Sequence, residues 1–443
     1  MQTEEDPLKP ENSSNENSLS EYEKFVNSLR FLRHSELSLH LMFLLNFLMS
    51  FQYYILVTLI PLYFTEAHDY SDLLSGVVFG CFGCVIGIFS ILIPYLFQGS
   101  SLKIALSISS FLGISGFVLL CIDNVYISLG AIIGLEALSC SLTWPFIELG
   151  IKKYSQKQVR KISSSLFYIC NYSAGIFAGI FIDVIWTSLE DSDYLFPVLF
   201  ISGACSCLLS LIAVIFLRPI YSSEGPHIDN NFYESKSFWR YLGLIVFIVL
   251  LRSACFGHLD TTFPKYIIRV TNDDTAHFGV MLAVHSVTII VGIFTFTILT
   301  YYYTSYSLII IGGLIGTLST SLLIFWNDYF SFVLMTIGIS AGESLWVPRL
   351  LDYTYEVAPK NEEPFYLALS NFPFYFGMII TGVTSGLLLE EYCPEDGEQN
   401  CEMVWLIILA SSLWIPIAIF LLKPILQEPK NHSHSLSLDS NLN

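Results

Sequence analysis

Long apolar runs alternate with short polar segments along most of the chain. Each run holds about 20 predominantly apolar residues, enough for one helix to cross a hydrocarbon core of about 30 Å. The runs lie at 39–64, 73–97, 102–122, 125–148, 162–186, 195–217, 238–263, 276–300, 306–326, 329–350, 364–389 and 403–423. This pattern predicts an all-α integral membrane protein with twelve transmembrane helices.

Composition agrees with this interpretation and divides the chain. Of the 443 residues, 53% are hydrophobic and only 13% are charged, a balance outside the range of ordinary soluble domains. The polar ends at 1–38 and 424–443 are predicted to be disordered cytoplasmic tails, and the first 20 residues lack the apolar stretch of a signal peptide. A polar cytoplasmic loop at 218–237 separates a six-helix bundle at 39–217 from a second at 238–423.

The positions of lysine and arginine predict the orientation in the membrane. With both termini in the cytoplasm, 17 of the 20 basic residues fall on inner segments. The exceptions are Lys265 and Arg269 in outer loops and Arg252 inside a helix. This asymmetry is typical of cytoplasmic termini. The net charge of −18 argues against nucleic acid as a partner. Which cellular membrane holds the protein is left open.

An internal repeat relates the two bundles. Pro61 and Pro264, Gly76 and Gly279, Pro145 and Pro348, and Gly179 and Gly382 are four pairs of residues separated by the same 203 positions. Six predicted spans separate the members of each pair. The two copies therefore cross the membrane in the same direction, as parallel repeats.

Twelve spans in two parallel sixes, with a polar central loop, resemble the major facilitator superfamily over nearly the whole chain. The basic loop KKYSQKQVRK after span four is similar to the family pattern, whereas the loop after span two is reduced to FQGSSLK and lacks the usual acidic residue. The PETKG and ExxER patterns of sugar and peptide transporters are absent. The segments HLDTTFPKYIIR and GESLWVPRLLDY resemble a less characterised branch.

The resemblance implies alternating access around a central cavity lined by spans one, four, seven and ten. Ionisable groups inside the membrane are candidates for function because burying them is costly. The candidates for binding substrate or protons on these spans are Glu136, Arg252, His258, Asp260 and Glu343. Glu136 and Arg252 lie about 18 Å and about 20 Å from the inner ends of their spans, so we hypothesise an ion pair between them.

Several of these residues have structural alternatives. Glu136 fits a packing role with a hydroxyl or backbone partner. His258 fits a solvent-exposed helix end, and Asp260 fits a pair with Lys265 or Arg269. Glu343 fits either a proton or substrate site, or an inner gate formed with Arg349 and Asp352. Arg349 can alternatively reach lipid headgroups. His285, alone on span eight, is typical of a satisfied core histidine.

The cysteines and the missing motifs narrow the function. Eight of ten cysteines lie in apolar spans, whereas Cys393 and Cys401 share one outer loop, where a disulfide forms if that side is oxidising. The sequence has no phosphate loop, metal-ligand spacing or nucleophile motif, so we expect no enzyme activity and no cofactor.

We therefore predict a secondary transporter that moves a small polar or anionic solute, with protons as a candidate coupling ion. We expect it to act as a monomer in the lipid bilayer. The alternative is a transporter-like protein without transport activity that serves as a receptor or an assembly partner.

Overall fold

The computed structural model describes residues 30–427 apart from 98, 157–158, 190–191, 221–234, 272–276, 301, 360–362 and 396. Within these residues, twelve helices are long and apolar enough to cross a membrane, as predicted. They are α1 Leu37–Glu66, α2 Asp72–Leu96, α3 Leu102–Leu120, α4 Val125–Tyr154, α5 Arg160–Leu189, α6 Leu195–Ile215, α7 Lys236–Thr271, α8 Phe278–Leu299, α9 Ser305–Phe325, α10 Tyr329–Val357, α11 Glu363–Tyr392 and α12 Cys401–Leu421. A short α13, Lys423–Leu426, follows. Most of the predicted tails and central loop lies outside the described residues.

Three helices extend beyond their apolar runs. Helices α4, α7 and α10 continue to residues 154, 271 and 357, although their predicted spans end at 148, 263 and 350. Helix ends depend on backbone hydrogen bonds, which polar side chains do not interrupt when water or a partner satisfies them. Lys265 and Arg269 therefore lie on α7, where Lys265 is only 3% exposed, and the prediction that they occupy outer loops was wrong.

Polar caps set the starts of α4 and α10. The Asn124 side chain accepts hydrogen bonds from the backbone N–H groups of Tyr126 and Ile127. Asp328 accepts from the Ser331 hydroxyl at 2.6 Å and the Ser331 backbone N–H at 2.8 Å, which lowers the pKa of Asp328. These caps satisfy orphan donors of the first helical turn and stabilise both helix starts.

An even number of crossings places the start of α1 and the end of α12 on one side of the bundle. We call this side the terminal face and the other side the opposite face. On the terminal face, Glu36 before α1 forms an ion pair of 2.9 Å with Arg218 after α6. The start of α2 and the end of α7 lie on the opposite face.

The repeat is visible in the structure. Pro61 and Pro264 lie inside α1 and α7, and Pro145 and Pro348 lie inside α4 and α10. The first helix of each half therefore contains one proline at an equivalent position, and so does the fourth. The fold is two parallel repeats of six helices, as the sequence predicted.

Two helix crossings join the halves through paired glycines. A Cβ atom at Gly76 on α2 would collide with the backbone carbonyl of Gly382 on α11, and the reverse holds for Gly382. Gly179 on α5 and Gly279 on α8 approach each other in the same way. The repeat relates Gly76 to Gly279 and Gly179 to Gly382. The two crossings are therefore equivalent under the internal repeat.

Candidate functional site

Helix α7 brings an arginine and an aspartate together inside the membrane region. The Arg252 Nη2 atom lies 3.1 Å from the Asp260 Oδ2 atom, and the two side chains are only 15% and 27% exposed. Arg252 begins a π-helical segment, Arg252–Phe256. Eight residues make about 2.2 turns of a regular α-helix, and a π segment uses more residues per turn. The π segment thus brings the two side chains toward one face of the helix.

The Arg252 side chain is not fully satisfied by Asp260. Its buried Nε atom has no hydrogen-bond partner among the described residues. A guanidinium has five N–H donors in a fixed plane, which suits carboxylate and phosphate groups. Arg252 therefore keeps a donor available inside the bundle.

Helices α8 and α10 contribute a histidine and a glutamate. The His285 Nε2 atom lies 4.0 Å from the Glu343 Oε2 atom, and the His285 Nδ1 atom lies 2.8 Å from the Ser340 hydroxyl. His285 is 8% exposed and Glu343 is 5% exposed. Glu343 thus faces His285 inside the bundle, whereas Arg349 and Asp352 pair with each other further along α10, at 2.7 Å.

These four ionisable residues form one group, which we call the central cluster: Arg252, Asp260, His285 and Glu343. Arg252 lies close enough to Glu343 for their charges to interact, a relation that we call Coulombic range. Asp260 lies within Coulombic range of both His285 and Glu343. A charge buried in a membrane is costly unless it is paired or hydrated. Their mutual proximity reduces this cost and concentrates ionisable groups in one place.

Tyrosines of the first half face the cluster. Tyr53 on α1 lies within Coulombic range of Asp260 and Arg252. The Tyr172 ring on α5 lies 6.3 Å from the His285 ring, measured between centroids. Tyr54 on α1 donates a hydrogen bond of 2.9 Å to the side chain of Asn171 on α5, which fixes both groups. Charged side chains of the second half therefore border the site on one side, and aromatic side chains of the first half border it on the other.

Two small cavities adjoin Asp260. One of about 20 Å³ is lined in part by Thr58, Asp260 and His285. The other, of about 10 Å³, is lined in part by Arg252, Asp260 and Thr381. A space of this size holds about one water molecule. Asp260 therefore borders two small spaces, each lined by both polar and apolar side chains.

A second ionic group closes the opposite face. The carboxylate of Asp72, at the start of α2, lies 2.7 Å from the Lys265 Nζ atom and 2.8 Å from the Arg269 Nη1 atom, both on α7. Arg269 also donates a hydrogen bond of 2.8 Å to the carbonyl of Cys393, which forms a disulfide with Cys401. We call Asp72, Lys265 and Arg269 the Asp72 cluster. It connects the two halves on the opposite face, beyond the central cluster.

The terminal face is more open between the halves. Glu148 on α4 and Asp352 on α10 are both exposed. Each lies within Coulombic range of Tyr168 on α5, and Glu148 is also within range of Tyr375 on α11. Exposed carboxylates that face side chains of the other half indicate solvent between the halves on this side.

Within the described part of the chain, two other predicted residues, Glu136 and His258, form no hydrogen bond or ion pair with the central cluster, although His258 lies near Arg252. The described residues contain no ion pair of Glu136 with Arg252, because Arg252 pairs with Asp260 and Glu136 packs against Gly116 on α3. His258 is 2% exposed, so its interpretation as a solvent-exposed helix end was wrong, and its Nδ1 atom lies 2.7 Å from the Thr262 hydroxyl. Asp260 pairs with neither Lys265 nor Arg269.

Sequence reasoning missed His285 and Asp72. His285 was predicted to be an isolated core histidine, yet it lies beside Glu343. Asp72 begins an apolar run and therefore looks like an ordinary helix-end residue. Neither contact has a local sequence signal, because α8 meets α10 and α2 meets α7 only in the folded bundle.

The helices and the clusters define the class of protein: a helical membrane protein with ionisable groups buried at the contact of two repeated halves. The sequence profile of the Major Facilitator Superfamily matches residues 5–179 and 42–382. The chain therefore belongs to the Major Facilitator Superfamily and is a secondary transporter with a small-molecule substrate. No curated protein sequence matches the chain.

Solved structures share the fold at low sequence identity. The nucleoside transporter NupG, crystallised as a mutant, is 14% identical with a TM-score of 0.71, and the match covers 87% of this chain and 99% of that chain. A POT family transporter in complex with a thioalcohol-conjugated peptide is 12% identical with a TM-score of 0.73, covering 88% and 96%. A mutant peptide transporter POT in complex with alafosfalin is 15% identical with a TM-score of 0.71, covering 88% and 94%.

Proposed function

We propose that the chain is a proton-coupled transporter for a small solute that carries an anionic group. The observation that carries this proposal is the gathering of Arg252, Asp260, His285 and Glu343 into one buried cluster beside small cavities. The cluster combines a donor for an anionic group with groups that bind protons.

The donors and acceptors around His285 support one additional proton shared between His285 and Glu343. The Ser340 hydroxyl donates its single hydrogen to the Thr336 carbonyl at 2.6 Å, so it accepts from His285 Nδ1. A neutral imidazole that donates through Nδ1 has only a lone pair at Nε2, and Nε2 faces the Glu343 carboxyl group. Two acceptors facing each other favour one additional proton, held by either group. This pair is the proposed site of the coupling proton.

Arg252 supplies the proposed contact to the substrate. An anionic group that bonds to the unpartnered Nε atom would compete with Asp260 for the guanidinium. Asp260 released in this way can accept a proton or bond to a polar group in the adjacent cavities. The tyrosines of α1 and α5 would then contact the remainder of the solute across the cluster.

The gating residues belong to the two faces. The Asp72 cluster holds the opposite face closed, and we assign Arg349 and Asp352 to the opening at the terminal face. The lysine and arginine distribution supports a cytoplasmic terminal face. The proposed transport unit is a monomer, because one chain supplies the central cluster and both faces.

A ligand screen tests the proposal. Purified protein in detergent is screened by thermal shift against small carboxylates, phosphates, zwitterions and neutral metabolites at two pH values, since a ligand that binds only the folded state raises its apparent stability. Arg252→Ala is expected to weaken binding of the stabilising solute at least about tenfold, because a hydrogen bond to a charged group contributes about 1.5–3 kcal/mol.

Arg218→Ala is the matched control, because Arg218 also pairs with a carboxylate but lies outside both the central cluster and the gating residues. The control should bind the solute as the parent does. Equal binding by Arg252→Ala would contradict the proposed site. If no solute stabilises a cooperatively unfolding sample and a protein copurifies in stoichiometric amount, the assembly-partner alternative replaces this proposal.

A further inference from the structure

Glu136 is a buried carboxyl group that the central cluster does not use. It is 0% exposed, and neither of its carboxyl oxygens makes a hydrogen bond of normal geometry among the described residues, although the backbone of Phe117 lies close by. It lies at the end of a second π-helical segment, Gly130–Glu136, on α4. Single π turns occur often at functional sites.

The surroundings of Glu136 come entirely from the first half. On α3, a Cβ at Gly116 would lie 2.9 Å from both the Cγ and the Cδ atoms of Glu136, so the missing side chain makes room for the carboxyl group. The titratable groups within Coulombic range are the thiols of Cys140 on α4 and Cys207 on α6. These surroundings provide no cation to balance an ionised carboxylate.

An unpaired carboxylate in such a place would carry a large desolvation cost, and buried carboxyl groups avoid it by keeping their proton. We propose that Glu136 is a second proton-binding site, within the first half and separate from the central cluster. In the arrangement described here it is neutral and holds the proton on one carboxyl oxygen. It exchanges that proton with water when helix movement exposes it.

A polar path leads from Glu136 toward the central cluster. Gln52 on α1 is 0% exposed, and among the described residues its amide group lies beside the Cys140 thiol without a hydrogen bond of normal geometry. Cys140 adjoins both Gln52 and Glu136. Cys140 is also within Coulombic range of Tyr53, which in turn is within range of Asp260 and Arg252. A change in the charge of Glu136 can therefore affect the central cluster through α1.

This inference rests on the proposed proton coupling, but its test needs no substrate. Infrared difference spectra of the full chain in lipid, recorded in water and deuterium oxide at neutral pH, separate protonated carboxyl groups from carboxylates. We expect Glu136→Gln to lose one protonated carboxyl band that the parent has. Glu36→Gln, which removes an exposed carboxylate of the same half that pairs with Arg218, should retain that band and lose carboxylate signal.

Loss of carboxylate signal in Glu136→Gln, with every protonated carboxyl band intact, would overturn the proposal. If Glu136→Gln does not fold, Glu136→Asp is the second variant. It keeps a carboxyl group but shortens the side chain by one methylene, so the same band should change frequency, and an unchanged band would also overturn the proposal. If no solute stabilises the protein in the ligand screen but the Glu136 carboxyl band is present, the result counts against the central site and not against Glu136.

Discussion

At the scale of single residues, hydrogen-bond partners and adjoining space separate ionisable groups that can respond to a ligand from those that stabilise the bundle. Arg252 and Asp260 form a pair that adjoins cavities and leaves a donor unused. His258, only six residues from Arg252, is instead enclosed by hydroxyl groups: Thr262 contacts its Nδ1 atom and donates to Ser385 on α11 at 2.7 Å. Position on the same helix therefore does not imply the same role.

Replacing His258 should reduce stability without affecting the site. His258→Ala removes a buried hydrogen bond and leaves the Thr262 hydroxyl with one fewer partner, at an expected cost of about 1–3 kcal/mol. Thermal unfolding measures the loss, and ligand titration should give an unchanged Kd. Thr262→Ala and the double variant provide the control, because two residues in one network should have non-additive costs. If the Kd rises in His258→Ala alone, His258 belongs to the binding site and the prediction is wrong.

Replacing Glu343 should remove the pH dependence of uptake. In Glu343→Gln, the amide can donate to His285 Nε2 without an added proton, so the pair no longer needs to gain or lose one during transport. Initial uptake rates in liposomes, measured across pH 5–8 where histidine ordinarily titrates, should become flat. Glu356→Gln, which removes an exposed carboxylate from the same helix, should keep the parent profile. The same pH profile in both variants would contradict the role of Glu343.

At the scale of helices, the paired glycines set how closely the halves approach. Gly76→Ala places a methyl group against the Gly382 carbonyl, and Gly279→Ala does the same at the equivalent crossing with Gly179. Both variants should lose thermal stability and transport, because backbone atoms there cannot move aside as a flexible side chain would. Gly134→Ala is the control, since a Cβ at Gly134 has no neighbour within 4 Å. Parent-like behaviour of Gly76→Ala would show that the crossing is not tight.

The Asp72 cluster should determine how often the opposite face opens. Asp72→Asn weakens charge-assisted hydrogen bonds to both Lys265 and Arg269, each contributing about 1.5–3 kcal/mol. The open population should rise at least about tenfold. A cysteine at Thr58, which lines the cavity beside His285, reports this opening when a membrane-impermeant thiol reagent is added from the opposite face and labelling is read by mass spectrometry.

Glu36→Gln, which removes an ion pair within the first half, is the control for this measurement and should leave Thr58→Cys labelling at the parent level. Equal labelling of the parent and Asp72→Asn would mean that the Asp72 cluster does not close the opposite face.

At the scale of the whole molecule, the sequence predicted what depends on local composition. Twelve apolar runs predict twelve helices, and the spacing of prolines and glycines predicts the parallel repeat. The presence of Arg252, Asp260 and Glu343 on inward-facing helices also follows from the cost of exposing a charge to lipid. The hydrogen-bond and ion-pair partners of these residues do not follow from the sequence. Arg252 pairs within its own helix through a π turn, and His285 reaches Glu343 through the packing of α8 on α10, which sequence periodicity does not specify.

The equivalence of the two glycine crossings leads to a prediction for the entire bundle. If both crossings act as pivots, opening of one face must close the other, because each half moves as one body. Spin labels at the exposed residues Tyr126 and Phe330 report the opposite face, and labels at Phe216 and Leu421 report the terminal face. Adding the stabilising solute at low pH should lengthen the first distance and shorten the second. Changes of the same sign in both distances would indicate expansion of the bundle instead of alternation between two faces.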